Sequence, residues 1–258
     1  MSGFLFDDIV FGPVNSRRFG VSLGINLLPE TMKYCSFNCI YCECGLTDSR
    51  QESRVKLYTA SEITATMESK FKERYQAGLK PDNITFAGNG EPTMHPDFAR
   101  IIEHTLRLRN QYFPEAKITV LSNATRLHII SVAEALRKTD NIVLKLDAGS
   151  DQMFNRINRP ASPVKLNDIV ERIASFGKEA IVQTLFVRGY VGGQSVDNTT
   201  EEELNQWMQH LLRIQPSSVM LYTISRETPE SNLETVPKAE MEAIAQKLRS
   251  LNIKAGVF

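Results

Sequence analysis

Cys35, Cys39 and Cys42 fall within eight residues, in the run Cys35-Ser-Phe-Asn-Cys39-Ile-Tyr-Cys42. Thiolates favour iron–sulfur clusters and zinc over hard cations such as calcium or magnesium. Spaced four and then three residues apart, three thiolates can ligate three irons of a cubane 4Fe–4S cluster and leave the fourth iron open for chemistry. The competing reading is a structural zinc site completed by Cys44. Structural zinc sites usually take their ligands as two separated pairs that tie distant strands together, and a knot confined to one short loop would tie down little. Four cysteines so close together in a chain of 258 residues do not resemble a secreted disulfide framework. Cluster and zinc both stay open on spacing alone.

Other polar residues recur where strand-like runs end. Gly88-Asn89-Gly90-Glu91-Pro92 sets two glycines, which let the backbone pass close to a ligand, before a carboxylate able to accept hydrogen bonds from an ammonium group. A plain turn into a proline-started helix has the same sequence. Ser122 and Asn123 fit a ligand contact or a helix cap equally well. Lys145 and Asp147 stand two apart and so point to the same side of a strand. A charged pair inside an apolar strand is costly unless it is paired or functional, which sets a cofactor or substrate role beside a simple buried ion pair. Gln183, Tyr222 and Arg226 are further candidates, and each also suits a satisfied polar residue of core or loop. The four histidines show no ligand spacing.

Strand-like runs at 21–27, 83–87, 117–121, 142–146, 180–187 and 219–224, with a terminal run at 253–258, must position these residues. Helix-like stretches separate them, starting near residues 61, 96, 127, 165, 200 and 237. The first, 61–76, opens on the capping-box spacing Thr59 to Glu62, and Ile63, Met67, Phe71 and Tyr75 predict a buried stripe. Five crossovers between six strands predict an α/β fold with a parallel sheet, rolled into an open barrel or doubly wound. In both, the reacting groups sit at the carboxyl ends of the strands, where the motifs above fall. The length suits one large domain. Thirty basic and thirty acidic residues cancel, so the whole chain offers no long-range field to gather nucleic acid or an anionic membrane. An acidic start without basic residues and the lack of a membrane-length apolar run predict a soluble, cytoplasmic protein.

A C-x3-C-x2-C loop after the first strand, Tyr41 before its last cysteine, and a Gly-Glu-Pro turn after the second strand together resemble the radical S-adenosylmethionine (SAM) superfamily. Element order extends the likeness over nearly the whole chain, but only these two motifs are specific. The resemblance implies one domain over 1–258, with short terminal extensions around an open, partial barrel of parallel strands with outer helices, (β/α)6-like. It implies Cys35, Cys39 and Cys42 as ligands of one 4Fe–4S cluster, with the methionyl amino and carboxylate groups of SAM on the free iron. Tyr41 then lies near the adenine, and the turn Asn89-Gly90-Glu91 receives the amino group; Asn89 stands where the family usually has the first of two glycines. Ser122 and Asn123 serve the carboxylate or ribose, Asp147 and Gln183 join the cofactor contacts, and Lys145, Asp147 and Tyr222 are catalytic candidates. Cys44 is left as an unliganded neighbour.

The implied chemistry is reductive cleavage of SAM to methionine and a 5′-deoxyadenosyl radical that removes a hydrogen atom from a substrate. The electron would come from a reductant protein such as flavodoxin or ferredoxin. The runs Phe11-Gly-Pro-Val-Asn-Ser-Arg17-Arg18 and Leu221-Tyr222-Thr-Ile-Ser-Arg226 are similar to an iron–sulfur oxidoreductase subgroup related to the synthases of the wyosine base on transfer RNA. Those synthases carry a second cluster, for which this chain has too few cysteines. RNA, an anionic metabolite or a protein remain as substrate classes, with Arg17, Arg18, Arg156 and Arg159 as possible anion contacts against the default of solvated arginines. An activating enzyme that places a radical on a partner's glycine is one alternative, and a non-enzymatic zinc-binding module is the other.

Overall fold

The alternating pattern becomes an open, mostly parallel sheet in the computed structural model, which describes residues 3–47 and 55–258. Its strands are β1 (Val10–Ser16), β2 (Gly20–Ile25), β3 (Asn83–Phe86), β4 (Lys117–Ser122), β5 (Asn141–Lys145), β6 (Ala180–Val191), β7 (Gln194–Asp197), β8 (Ser218–Thr223), β9 (Leu233–Thr235) and β10 (Ala255–Val257). The order is β1-β2-β3-β4-β5-β6-β8-β10, parallel from β2 onward, with β1 antiparallel at one edge. Strands β7 and β9 pair antiparallel with the far half of β6. The α-helices among the described residues are α1 (Ala60–Gln76), α2 (Phe98–Tyr112), α3 (Ile130–Arg137), α4 (Asp151–Ile157), α5 (Leu166–Ala174), α6 (Glu201–Ile214) and α7 (Lys238–Ser250).

Each of the seven expected strands is present, and the sheet does not close. Buried parallel strands carry near-continuous apolar runs because helices cover them; β3, with all four residues buried, shows this. Helix α1 starts as its sequence predicts. Thr59 Oγ1 accepts from the Glu62 N–H (3.2 Å), and Glu62 Oε2 accepts from the Thr59 N–H (2.7 Å). Ile63, Met67 and Phe71 are fully buried, but Tyr75 is 54% exposed, so the expected stripe ends one turn early. Tyr75 lies on the last turn and meets the Tyr112 ring edge-on, with ring centroids 5.9 Å apart.

Three unexpected elements matter for the site. Strand β1 contains Pro13, which cannot donate to a ladder and is tolerated at a sheet edge. Its hairpin with β2 turns at the amino end of β2 and carries Arg17 and Arg18, which line the cavity described below. Helix α4, of seven residues, is capped at Ser150, whose side chain accepts from the Met153 N–H (3.1 Å). The buried carboxylate of Glu203 accepts from the N–H groups of Gly149 (2.8 Å) and Ser150 (3.1 Å), which fixes the loop after β5 from the next layer of helices. Strand β9 pairs with β6 and follows the loop that carries Arg226. No helix among the described residues is long and apolar enough to cross a membrane.

Candidate functional site

The two motifs that are far apart in sequence form one structural unit. The N–H of Tyr34 donates to the Asn89 carbonyl (2.8 Å), and the N–H of Glu91 donates to the Tyr34 carbonyl (3.1 Å). Gly90 sits between them at φ +147, and a Cβ there would lie 1.8 Å from the Tyr34 oxygen, so only glycine lets the strands meet. The other side of the cysteine loop docks on the end of α4. There the N–H groups of Asn38 and Ile40 donate to the carbonyls of Asn158 and Ile157 (2.9 Å each), and the Ala161 N–H donates to the Ser36 carbonyl (2.9 Å). The loop thus satisfies the orphan carbonyls of the helix while the helix holds the loop in place.

All four cysteines line one cavity of about 450 Å³ at the carboxyl ends of the strands. N–H groups are directed at the sulfurs. The Phe37 N–H (3.4 Å) and Asn123 Nδ2 (3.6 Å) approach Cys35 Sγ, and Asn158 Nδ2 (3.4 Å) approaches Cys39 Sγ. Lys33, 3% exposed, gives Nζ to the Gly45 carbonyl (3.1 Å). Burial would lower the Lys33 ammonium, yet the sulfurs of Cys42, Cys35 and Cys39 hold it above its ordinary value. In return burial pushes the Cys35 thiol up to about 12 and raises Cys39, while Lys33 pulls Cys35 back. A hydrogen bond between Cys42 and Cys44 holds Cys42 low and Cys44 high, and the Cys44 thiol also donates to the Gly88 carbonyl (3.3 Å).

Burial disfavours the thiolates of Cys35 and Cys39 unless positive charge is supplied, and donors around the sulfurs are what ligating thiolates require. Among the described residues no three His, Cys, Asp or Glu side chains converge on a point suited to a single ion.

Two buried carboxylates lie near the sulfurs, Glu91 beside Cys35 and Asp147 beside Cys39. Glu91, 2% exposed, caps a short 3-10 turn: Oε1 accepts from the N–H (3.1 Å) and hydroxyl (2.5 Å) of Thr93, and Oε2 accepts from the Asn123 N–H (2.6 Å). Burial raises its pKa against these bonds. Asp147 accepts from the Leu185 N–H (2.9 Å), Asn158 Nδ2 (2.8 Å) and the Tyr41 hydroxyl. Lys145 lies 3.6 Å from Asp147 and donates to the hydroxyls of Tyr41 (2.8 Å) and Tyr222 (3.2 Å).

A family model described as the radical SAM superfamily matches residues 30–204, a stretch that holds the cysteine loop, the Gly-Glu-Pro turn and the strand ends from β3 to β6. The chain belongs to the radical SAM superfamily. A UPF0026 protein of Synechocystis sp. is 34% identical over 225 residues, which are 85% of this chain and 77% of that protein. A protein of Brachyspira hyodysenteriae named GTPase Obg is 29% identical over 90% of this chain, which spans only 32% of that relative. The fold of a radical SAM methyltransferase from Sphaerobacter thermophilus is similar at a TM-score of 0.66 and 16% identity, over 92% of this chain and 65% of the other.

Measured against radical SAM expectations, Cys35, Cys39, Cys42, Tyr41, Gly90, Glu91, Ser122, Asn123, Lys145, Gln183 and Tyr222 all line the one cavity. Asn89 does not. Its side chain accepts from the Phe6 N–H and donates to the carbonyls of Phe6 and Pro29 (2.8 Å each), clamping the N-terminal segment from behind the turn. Asp147 lies one layer behind the wall and reaches the cavity through Tyr41 and Lys145. Arg156 and Arg159 are engaged elsewhere, with the Ser195 carbonyl (2.9 Å) and Glu230 (2.8 Å). Sequence reasoning missed Lys33 and Asn158. Lys33 sits two residues before Cys35, and a cation beside a ligand loop was its only signal. Asn158 had none, because the unrecognised helix α4 carries it to the sulfur.

Proposed function

We propose that this protein is a radical SAM enzyme in which Cys35, Cys39 and Cys42 hold one 4Fe–4S cluster and SAM completes the open iron. The observation that carries this reading is a cavity wall of three cysteine sulfurs, two of them, Cys35 and Cys39, met by N–H donors, with the carboxylate of Glu91 on the adjoining turn. When bound, the cluster and SAM supply reductive cleavage to methionine and a 5′-deoxyadenosyl radical, which takes a hydrogen atom from the substrate. The protein's part is placement. Glu91, fixed by Thr93 and Asn123, accepts hydrogen bonds from the methionyl ammonium group, which also offsets the burial of its charge. Ser122, Asn123 and Gln183 contact the remaining polar groups of the cofactor. Lys33 and Asn158 stabilise negative charge on the sulfurs, as residues behind metal ligands commonly do. Tyr41, Lys145 and Tyr222 form a closed hydrogen-bonded wall that keeps the cleaved carbon facing one side of the cavity. A small reductant protein such as flavodoxin or ferredoxin delivers the electron.

Anaerobic reconstitution followed by iron and sulfide analysis, with 5′-deoxyadenosine measured after reduction, tests the reading. Cys39→Ala is expected to lose the cluster and all deoxyadenosine. Glu91→Ala is expected to keep the cluster and weaken SAM binding. A wild-type protein that takes up only zinc, or a Cys39→Ala variant with its full complement of iron, would refute the ligand assignment.

A further inference from the structure

Arg18 differs from the other charged groups around the cavity. It comes from the β1–β2 hairpin and lines the cavity, with its guanidinium carbon 5.3 Å from the Tyr222 ring and 5.6 Å from the Phe19 ring. Its Nη1 is buried and has no hydrogen-bond partner. Burial, the largest influence, lowers its pKa; Tyr222 and Glu43 offset this only in part, and Arg17 adds to it. Glu43 is already paired with Arg226 at 2.6 Å. Lys145 is satisfied within its own network. A desolvated guanidinium with an idle donor is an expensive arrangement unless something anionic completes it.

Arg18 and Arg226 also border a second cavity, of about 580 Å³, which shares Ala87 and Leu121 with the first. Its walls include Phe4, Phe6, Phe11 and Phe19. The Phe11 ring lies flat against Phe6 and occupies the space that a side chain at Gly24 would fill. Its charged lining is Arg18 together with Glu43 and Arg226, and the last two are paired with each other, which leaves Arg18 as the unpaired charge in an aromatic-walled cavity, a form that suits a small-molecule subsite. A guanidinium fork matches a carboxylate or a phosphate in the same bidentate way.

We propose that Arg18 anchors an oxyanion, carboxylate or phosphate, of the substrate, and that the phenylalanine-walled cavity takes the planar apolar part of the same molecule. This rests on the radical SAM reading above for what happens at the first cavity, and it names the class of molecule that enters: an aromatic or heteroaromatic acid or phosphate ester. Both sources of the anion share the chemistry that Arg18 recognises.

Titration calorimetry on the reconstituted, SAM-loaded protein tests it with phenyl phosphate, phenylacetate, inorganic phosphate and benzyl alcohol. Phenyl phosphate or phenylacetate should bind about tenfold or more tightly than inorganic phosphate and benzyl alcohol, and whichever is tighter identifies the anion. Arg18→Gln should lose about tenfold or more of that affinity, the worth of one charge-assisted pair. Arg18→Lys should recover part of it, since an ammonium keeps the charge without the fork. Wild-type protein that binds neither phenyl probe overturns the proposal, as does an Arg18→Gln variant that binds them as wild type does. It is equally overturned if Arg18→Gln weakens SAM instead, because the guanidinium would then serve the cofactor's carboxylate. Deoxyadenosine release by the wild-type protein separates the two readings. Its presence alongside failed probe binding sinks the anion site alone, and its absence sinks the underlying reaction.

Discussion

Two cations line the same cavity and share the Tyr222 ring, and they are stabilised in opposite ways. Lys145, on β5, is held by Asp147 at 3.6 Å and by two tyrosine hydroxyls, so that although burial lowers its pKa, these neighbours raise it overall. Arg18, on the hairpin, has aromatic faces and an unpartnered nitrogen, and burial lowers it overall. The first charge folds together with its counterion, two residues on and just past the end of β5. The second has its counterion left to come from outside. Burial of a charge therefore says little about function in this cavity until the partners have been counted.

The sharpest way to break this contrast is to remove the counterion. Asp147 is fully buried at its side chain and accepts from Leu185, Asn158 and Tyr41 besides facing Lys145. Asp147→Ala leaves an uncompensated buried ammonium, a change that typically costs about 3–5 kcal/mol. Denaturant unfolding of the apoprotein should show that loss as a lower midpoint without a smaller slope. A loss under about 1 kcal/mol would mean that the tyrosines alone satisfy Lys145, well below the cost expected for breaking such a pair.

Pair and turn differ in how much of them the sequence discloses. Lys145 and Asp147 were readable as sharing one side because a strand repeats every two residues, and the structure does place them together. Glu91 was readable because a glycine turn, a carboxylate and a proline follow one another locally. The parallel strands were readable for the same reason, each being a buried apolar run between turn signals. Strand β1 was not, since Pro13 interrupts it and its edge position has no periodic signature. Asn89 was misleading in a different way: it stands within the ligand motif, yet its side chain points backward to Phe6 and Pro29. Alternation along the backbone is local, whereas the direction of an amide depends on a segment more than eighty residues away. Asn158 and Arg18 are the same problem at larger scale. Their roles come from which elements meet, and neither carries a local pattern.

Asn158 links the paired side of the cavity to the cysteines, since its Nδ2 reaches both Asp147 Oδ2 (2.8 Å) and Cys39 Sγ (3.4 Å). Asn158→Leu deprives two buried acceptors of a donor, with an expected cost of about 1–3 kcal/mol. A donor to a ligand sulfur favours the more negative, reduced cluster, so its removal should also shift the reduction potential of the reconstituted protein to more negative values. Potentiometric titration followed by electron paramagnetic resonance reads this directly. An unchanged potential would confine Asn158 to shaping Asp147.

Arg18→Met gives the smallest expected effect and the most informative sign. Methionine keeps the length that packs against Phe19 and Tyr222 and removes a desolvated charge that has no partner. The ligand-free protein should therefore be unchanged or stabilised by up to about 1 kcal/mol, a rise in Tm of about 2–4 °C for a chain of this size. Adding phenyl phosphate should reverse the order, because ligand binding to the folded state stabilises wild type by mass action and the variant far less. Reversal on ligand addition is what a counterion supplied from outside requires. If Arg18→Met instead costs several kcal/mol without ligand, the guanidinium is already neutralised within the fold, and the two cations are stabilised alike.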